Sequence, residues 1–210
     1  MNPWTTIPLD DYESHMAFPA VGQAAMLARE FGRAIAATKP NTVALLGCAG
    51  GNGLEHAITA NLDKVICVDI NPDYIAALKH RYASQIKSLE CHACEVEAVR
   101  TPSKADLVFG GLIFEYTRLA EAIETVSLLL SEGGDFFALL QSPAPGVSTV
   151  SLSPYAQSLS GIVGVFQYID PAVMVRLSAA KGMGLIEQHQ ITQDCGKSFT
   201  VVRLRKVETR

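Results

Sequence analysis

Hydrophobic positions along the chain alternate between two rhythms. Short, nearly continuous apolar runs have the pattern of strands buried on both faces, and they are followed by stretches in which apolar residues recur every three to four positions. Val21, Ala24, Ala28, Phe31 and Ile35 keep helical spacing, with Glu30 and Arg33 opposite, until Pro40 stops the pattern. The spacing predicts a helix over 21–37, a strand over Thr42–Leu46, a glycine turn and a helix over 52–60. A second apolar run, 64–70, ends beside an acid. The helix after it opens on Asn71, placed to cap, and on Pro72, whose missing N–H costs nothing in a first turn.

The alternation continues. Strands are predicted over 88–95, with Glu95 at its end, and over 105–114. A helix over 119–130 aligns Leu119, Ile123, Val126 and Leu130 on one stripe, and a fifth strand over 133–141 follows a glycine stop. Asp170 and Pro171 repeat the cap-plus-proline start for a helix to about Gly182. Two strand-like runs, 184–191 and 198–205, flank the turn-forming residues 192–197. Strand and helix in alternation imply an α/β, doubly wound, mostly parallel seven-stranded sheet, closed by an antiparallel C-terminal hairpin. No linker or repeat divides the chain, so residues 1–210 are expected to form a single domain.

Composition agrees with a packed core: of 210 residues, 49% are hydrophobic and 18% charged. A net charge of −4 supplies no field for a polyphosphate, which argues against nucleic acid as partner. The opening residues have neither a basic nor an apolar leader region, and no run reaches membrane-spanning length, so a cytoplasmic protein without membrane contact is expected. Cys48, Cys67, Cys91 and Cys94 lie in apolar segments and suit reduced thiols; the lone C-x-x-C at 91–94 reads as packing. His56, His80, His92 and His189 form no ligand spacing, and no metal is expected.

The chemistry concentrates at residues 47–53, GCAGGNG, directly after the first strand. In a doubly wound sheet, ligands sit outside the carboxyl ends of the strands, and a turn this bare lets a ligand approach the main chain. Asp69 falls 22 residues after Gly47 at the end of the next strand. There a carboxylate can accept hydrogen bonds from both ribose hydroxyls of a nucleoside cofactor, besides starting the turn before Asn71.

Together these segments resemble a known family. NTVALLGCAGGNGLEHA, KVICVDINPDYIAALKHRY, Glu95, ADLVFGGLIFEY and SLLLSEGGDFFALL match, in order and spacing, the class I S-adenosylmethionine-dependent methyltransferases of the small-molecule type, over about residues 40–141. The resemblance implies a Rossmann-like fold divided into a helical lid segment (1–39), a cofactor-binding core (40–141) and an acceptor cap with the terminal hairpin (142–210). It implies that Gly47, Ala49 and Gly51 face the methionine and ribose of S-adenosylmethionine and that Asp69 holds the ribose. Ile70 would lie against the adenine, Glu95 and Val96 near it, and Gly110 near the methionine amino group. Ala49 departs from the family's middle glycine, and Leu45 from an acid often found there; a methyl at 49 is expected to be tolerated only at negative φ.

Methyl transfer needs alignment more than a catalytic side chain, yet a proton-bearing nucleophile benefits from a base within reach. Candidates are Glu115 and His15, with Tyr12 or Tyr116 as an orienting phenol. From Phe136 to Ile169 there is no charged residue or histidine, and the stretch includes Pro143, Pro145, Phe166 and Tyr168. This predicts a small neutral or apolar acceptor, with Phe166 and Tyr168 as pocket wall. A nicotinamide-dependent oxidoreductase is disfavoured because His56 occupies the third glycine position of G-x-G-x-x-G. Strand four ends in FGGLIFEY, without the Asn or Asp, Pro-Pro and aromatic signature of DNA base methylation. An aminopropyl transferase lacks its paired acids, and a non-catalytic cofactor-binding sensor stays open. The sequence leaves the oligomeric state open as well.

Overall fold

The computed structural model describes residues 2–144, 146 and 148–207; Pro145, counted above in the uncharged stretch, lies outside the described residues. An N-terminal 3-10 turn (Pro3–Thr6) leads into α1 (Leu9–Ala17) and α2 (Gln23–Thr38). There follow β1 (Thr42–Leu46), α3 (Leu54–Thr59), β2 (Lys64–Asp69), α4 (Pro72–Tyr82), β3 (Leu89–Ala93) and β4 (Ala105–Gly111). The chain continues through α5 (Leu119–Leu129), β5 (Leu130–Gln141), α6 (Pro171–Ala179), β6 (Met183–Thr192) and β7 (Ser198–Lys206).

The seven strands form one sheet in the order β3-β2-β1-β4-β5-β7-β6. β7 pairs antiparallel with both neighbours, whereas every other pairing is parallel. Alternate residues of the central strands enter two separate cores. Ala44 and Leu46 of β1 join Val108, Phe136 and Ala138 beneath Ile123 and Val126 of α5 and Met174 of α6. Val43 and Leu45 join Leu107, Phe109 and Leu139 beneath Phe31 of α2, Leu54 of α3 and Leu78 of α4. Burial on both faces explains why these strands read as unbroken apolar runs.

Two helix starts follow their predicted chemistry. Asn71 Oδ1 accepts the N–H of Asp73 at 3.0 Å, and Asp170 Oδ1 accepts the N–H of Ala172 at 2.8 Å, each with proline next in the chain. The boundaries differ where glycine bends the backbone. β5 begins at Leu130, directly after α5, so Gly133 and Gly134 are not a helix stop. They serve the register shift of β4 against β5, where a Cβ on Gly134 would lie 2.9 Å from the Ser131 carbonyl. α3 starts at Leu54 rather than 52, because Gly51 and Gly53 are left-handed at φ 95° and 86°. β4 stops at Gly111, before the predicted 114, because Leu112 turns to φ 58°. β3 ends at Ala93 and leaves Glu95 just beyond it, ahead of a 3-10 turn at Val96–Ala98.

No helix among the described residues is long and apolar enough to cross a membrane. The cysteines Cys48, Cys67, Cys91, Cys94 and Cys195 are free thiols.

The two-core arrangement predicts where stability resides. Phe136 is fully buried and meets Phe114 edge-on at 5.4 Å, so Phe136→Ala should cost about 3–5 kcal/mol in urea unfolding. Leu152→Ala, at a side chain 85% exposed, should change stability by no more than about 0.5 kcal/mol.

Candidate active site at the carboxyl ends of the strands

β1 and β2 end level with each other, Leu46 against Val68. The Val68 carbonyl accepts the N–H groups of both Gly47 and Cys48, at 2.8 and 3.1 Å, which curls the chain back over β2. Gly47 sits at φ 66°, and a Cβ there would meet Ile113 at 3.0 Å. Ala49 then donates its N–H to Asp69 Oδ2 at 2.9 Å, and Asn71 donates its own to Oδ1 at 2.9 Å. Two backbone donors therefore hold the Asp69 carboxylate, and each oxygen keeps a lone pair for a further partner. Burial raises the Asp69 pKa, and these two bonds oppose that rise.

Two clefts meet over this turn, sharing Tyr12, Gly47, Ala49 and Gly111. The wider, about 440 Å³, is bounded by Asp69, Ile70, Glu95, Val96 and Ile113. The narrower, about 260 Å³, lies between α1 and the glycine turn. Arg81 closes its outer end: its guanidinium forks onto the Glu13 carboxylate, with Nη2 to Oε2 at 3.0 Å, and also donates to the Gly50 carbonyl at 3.1 Å. A third, small cavity of about 40 Å³ opens off the wide cleft, sharing Trp4, Tyr12, Leu112 and Tyr116 with it.

Most of the residues singled out in the sequence come to this region, though not all reach its surface. Gly47, Ala49, Asp69, Ile70, Glu95 and Val96 line the wide cleft. Gly51 instead backs onto Tyr82 and Leu54, and Gly110 onto Phe114, so Gly111 rather than Gly110 faces the clefts. Ala49 has φ 44°, contrary to the expectation of negative φ, so its methyl is borne in a left-handed turn at a cost of order 1 kcal/mol. Tyr12, His15, Glu115, Tyr116 and Phe166 line the small cavity. Tyr168 does not; 40% exposed, it packs edge-on against Phe166 at 4.9 Å.

The small cavity also corrects the picture of an uncharged pocket. Residues 136–169 supply its apolar wall at Val150, Leu159, Ile162 and Phe166, but ionisable groups arrive from other segments: His15 from α1, Glu115 from the 3-10 turn after β4, and Lys197 from just before β7. Glu115 is completely buried; Oε1 accepts the Gln141 N–H at 2.7 Å, and Oε2 has no partner. Burial pushes its pKa up to about 7, against the pull of backbone N–H bonds. His15 Nδ1 lies 2.7 Å from Ser153 Oγ, and burial, then Lys197, lowers its pKa. Burial also raises Tyr12 and Tyr116, which therefore remain neutral phenols at physiological pH.

Aromatic contacts fasten the N-terminal segment over the clefts. Trp4 meets Tyr12 and Tyr116 edge-on at 5.7 and 4.9 Å, and Tyr12 stacks on Tyr74 at 5.9 Å. Trp4, Gln141 and Lys197 carried no signal in the sequence, because each is brought to the cavity only by tertiary packing.

The fold that carries this site is shared with known proteins. A family model described as a methyltransferase domain matches residues 43–134. N-methyltransferase NodS from Bradyrhizobium japonicum WM9, in complex with S-adenosyl-L-homocysteine, superposes with a TM-score of 0.69 at 15% identity, over 99% of this chain and 100% of that one. Residues 43–134 thus resemble a methyltransferase domain. The methyltransferase fold extends over nearly the whole chain: CcbJ methyltransferase from Streptomyces caelestis gives a TM-score of 0.72 at 16% identity, over 99% of this chain and 98% of that one. A [4+2]-cyclase, SpnF, shares the fold at a TM-score of 0.67 and 8% identity, over 95% of this chain and 96% of that one. No curated protein matches the sequence.

Glu115 should leave a pH signature independent of catalysis. A folded pKa near 7, above the usual 4.5, favours folding below pH 4.5, and that contribution is lost as pH rises through 7. Glu115→Gln removes the loss, so its stability relative to the parent should increase by about 2–3 kcal/mol between pH 4.5 and 8, measured by urea unfolding.

Proposed function

We propose that the protein transfers the methyl group of S-adenosylmethionine to a small organic acceptor whose nucleophile, a hydroxyl or neutral amine, meets Glu115. The observation that carries this reading is the Asp69 carboxylate, oriented by two backbone N–H groups beside the left-handed turn at Gly47–Ala49. Its free lone pairs suit a ribose diol, Ile70 and Val96 offer apolar contact to an adenine, and Glu95 can accept from its amino group. The methionine end belongs over Gly47, Ala49 and Gly111, under Tyr12, where the two larger clefts join. Gly51 and Gly110 then act behind the surface by letting the turn and Phe114 pack.

The cofactor's sulfonium supplies an already activated methyl, so the chain has to align the nucleophile and exclude water. Leu112 and Tyr12 lie at the mouth shared by the wide cleft and the small cavity, the place for the nucleophile. Glu115 Oε2, unpartnered and with a pKa close to neutrality, is suited to take the proton released there. Tyr12 and Tyr116, as neutral phenols, can donate a hydrogen bond to the acceptor but not act as bases. His15 is the second candidate base, held through Nδ1 by Ser153. Phe166, Ile162 and Leu159 form an apolar wall against the end of the acceptor that enters the small cavity, and Tyr168 supports Phe166 from outside. Segments 1–39 and 142–210 serve this reading as lid and acceptor cap around the 40–141 core.

Calorimetry tests the binding half. S-adenosylhomocysteine should bind and NADH should not, and Asp69→Ala should weaken the affinity by about tenfold to a hundredfold, the value of a hydrogen bond to a charged group. Labelled-methyl transfer to a panel of phenols, alcohols and neutral amines tests the catalytic half, with Glu115→Gln expected to slow turnover by about 100-fold or more while leaving cofactor affinity unchanged. Undiminished binding in Asp69→Ala would remove that residue from the site. Binding without turnover on any acceptor would make the chain a sensor instead.

A further inference from the structure

The group in the small cavity that the reading above leaves without a task is Lys197. It is 3% exposed, and Nζ donates to the Thr149 carbonyl at 2.7 Å. Among the described residues it pairs with no carboxylate. An ammonium has three N–H donors, so two are unfilled. Burial without a counter-ion is costly enough to lower its pKa to about 8. Tethering the 149 segment does not require the charge, because Gln141 Nε2 donates to the same Thr149 carbonyl at 3.2 Å.

Two further observations place a ligand beside it. Glu115 lines the same cavity, completely buried, with Oε2 lacking any partner. The cavity, about 40 Å³, has room for about three water-sized groups, the size of a carboxylate rather than of a whole acceptor. The rest of a bound molecule would extend past Trp4, Tyr12 and Tyr116 to the mouth shared with the wide cleft.

We propose that Lys197 binds a carboxylate carried by the methyl acceptor, a few bonds from the nucleophile that meets Glu115. This rests on the methyl-transfer reading and narrows it: the acceptor is a hydroxy acid or amino acid in the chemical sense, neutral at its reacting end at the cavity mouth and anionic at the end that reaches Lys197. An ionised carboxylate provides acceptors for both unfilled N–H donors and the missing counter-charge, which a neutral amide of the same shape cannot.

The test uses the full chain loaded with S-adenosylhomocysteine, whose binding is first measured by calorimetry; failure at that step overturns the methyl-transfer reading itself. Benzoate and benzamide are then titrated into the loaded protein. Benzoate should bind at least about tenfold more tightly than benzamide, as expected for a charge-assisted contact. Lys197→Met should abolish that preference with benzamide and S-adenosylhomocysteine affinities unchanged, and Lys197→Arg should restore it; Lys197→Gln replaces the Met variant if the latter fails to fold. Benzoate that binds no better than benzamide, or a preference that survives loss of the charge, overturns the assignment.

Discussion

Asp69 is the point on which the site depends. β1, β2 and β4 can end at one level because their side chains are buried in cores on both faces, and the glycine turn can fold back across that level only if something holds it. The Val68 carbonyl takes the first two N–H groups of the turn, and the Asp69 carboxylate takes the third available one from Ala49. A single carboxylate thereby joins β1 to β2, orients the start of α4 through Asn71, and still faces the wide cleft.

Backbone strain is distributed in keeping with that. Among the described residues, four non-glycine residues have positive φ: Lys39 and Asn61 lie just past helix ends, where a left-handed residue is ordinary, but Ala49 and Leu112 border the clefts. Each costs of order 1 kcal/mol and is held by its surroundings, Ala49 through Asp69 and Leu112 through its N–H bond to the Leu139 carbonyl at 3.0 Å. Ala49 shapes the floor shared by the two larger clefts, and Leu112 the threshold between the wide cleft and the small cavity.

The cofactor side was legible because its signals are local. A strand, a run of glycines, the next strand and its terminal acid follow one another within 30 residues, and Asn71 and Pro72 mark their helix start by short-range chemistry alone. Which glycine faces the ligand was less legible: Gly110 and Gly111 differ only in which side of β4 they occupy, and φ at Ala49 depends on a partner 20 residues away. The acceptor side was the least legible. His15 meets Ser153 across 138 positions, Glu115 meets the Gln141 backbone across 26, and Lys197 reaches Thr149 across 48, so no window of sequence contains the cavity. An uncharged stretch was visible and does form a wall, but the charges that determine the cavity's character come from outside it.

In the proposed arrangement, Asp69 fixes a bare backbone turn so that a nucleoside sulfonium spans the two larger clefts and presents its methyl toward the Glu115 cavity. A crystal structure with S-adenosylhomocysteine measures this directly. The account predicts both ribose hydroxyls within about 3 Å of the Asp69 oxygens, the adenine between Ile70 and Val96, and the sulfur at the mouth bounded by Tyr12 and Leu112. Density for the nucleoside elsewhere, or with its ribose turned away from Asp69, would contradict it.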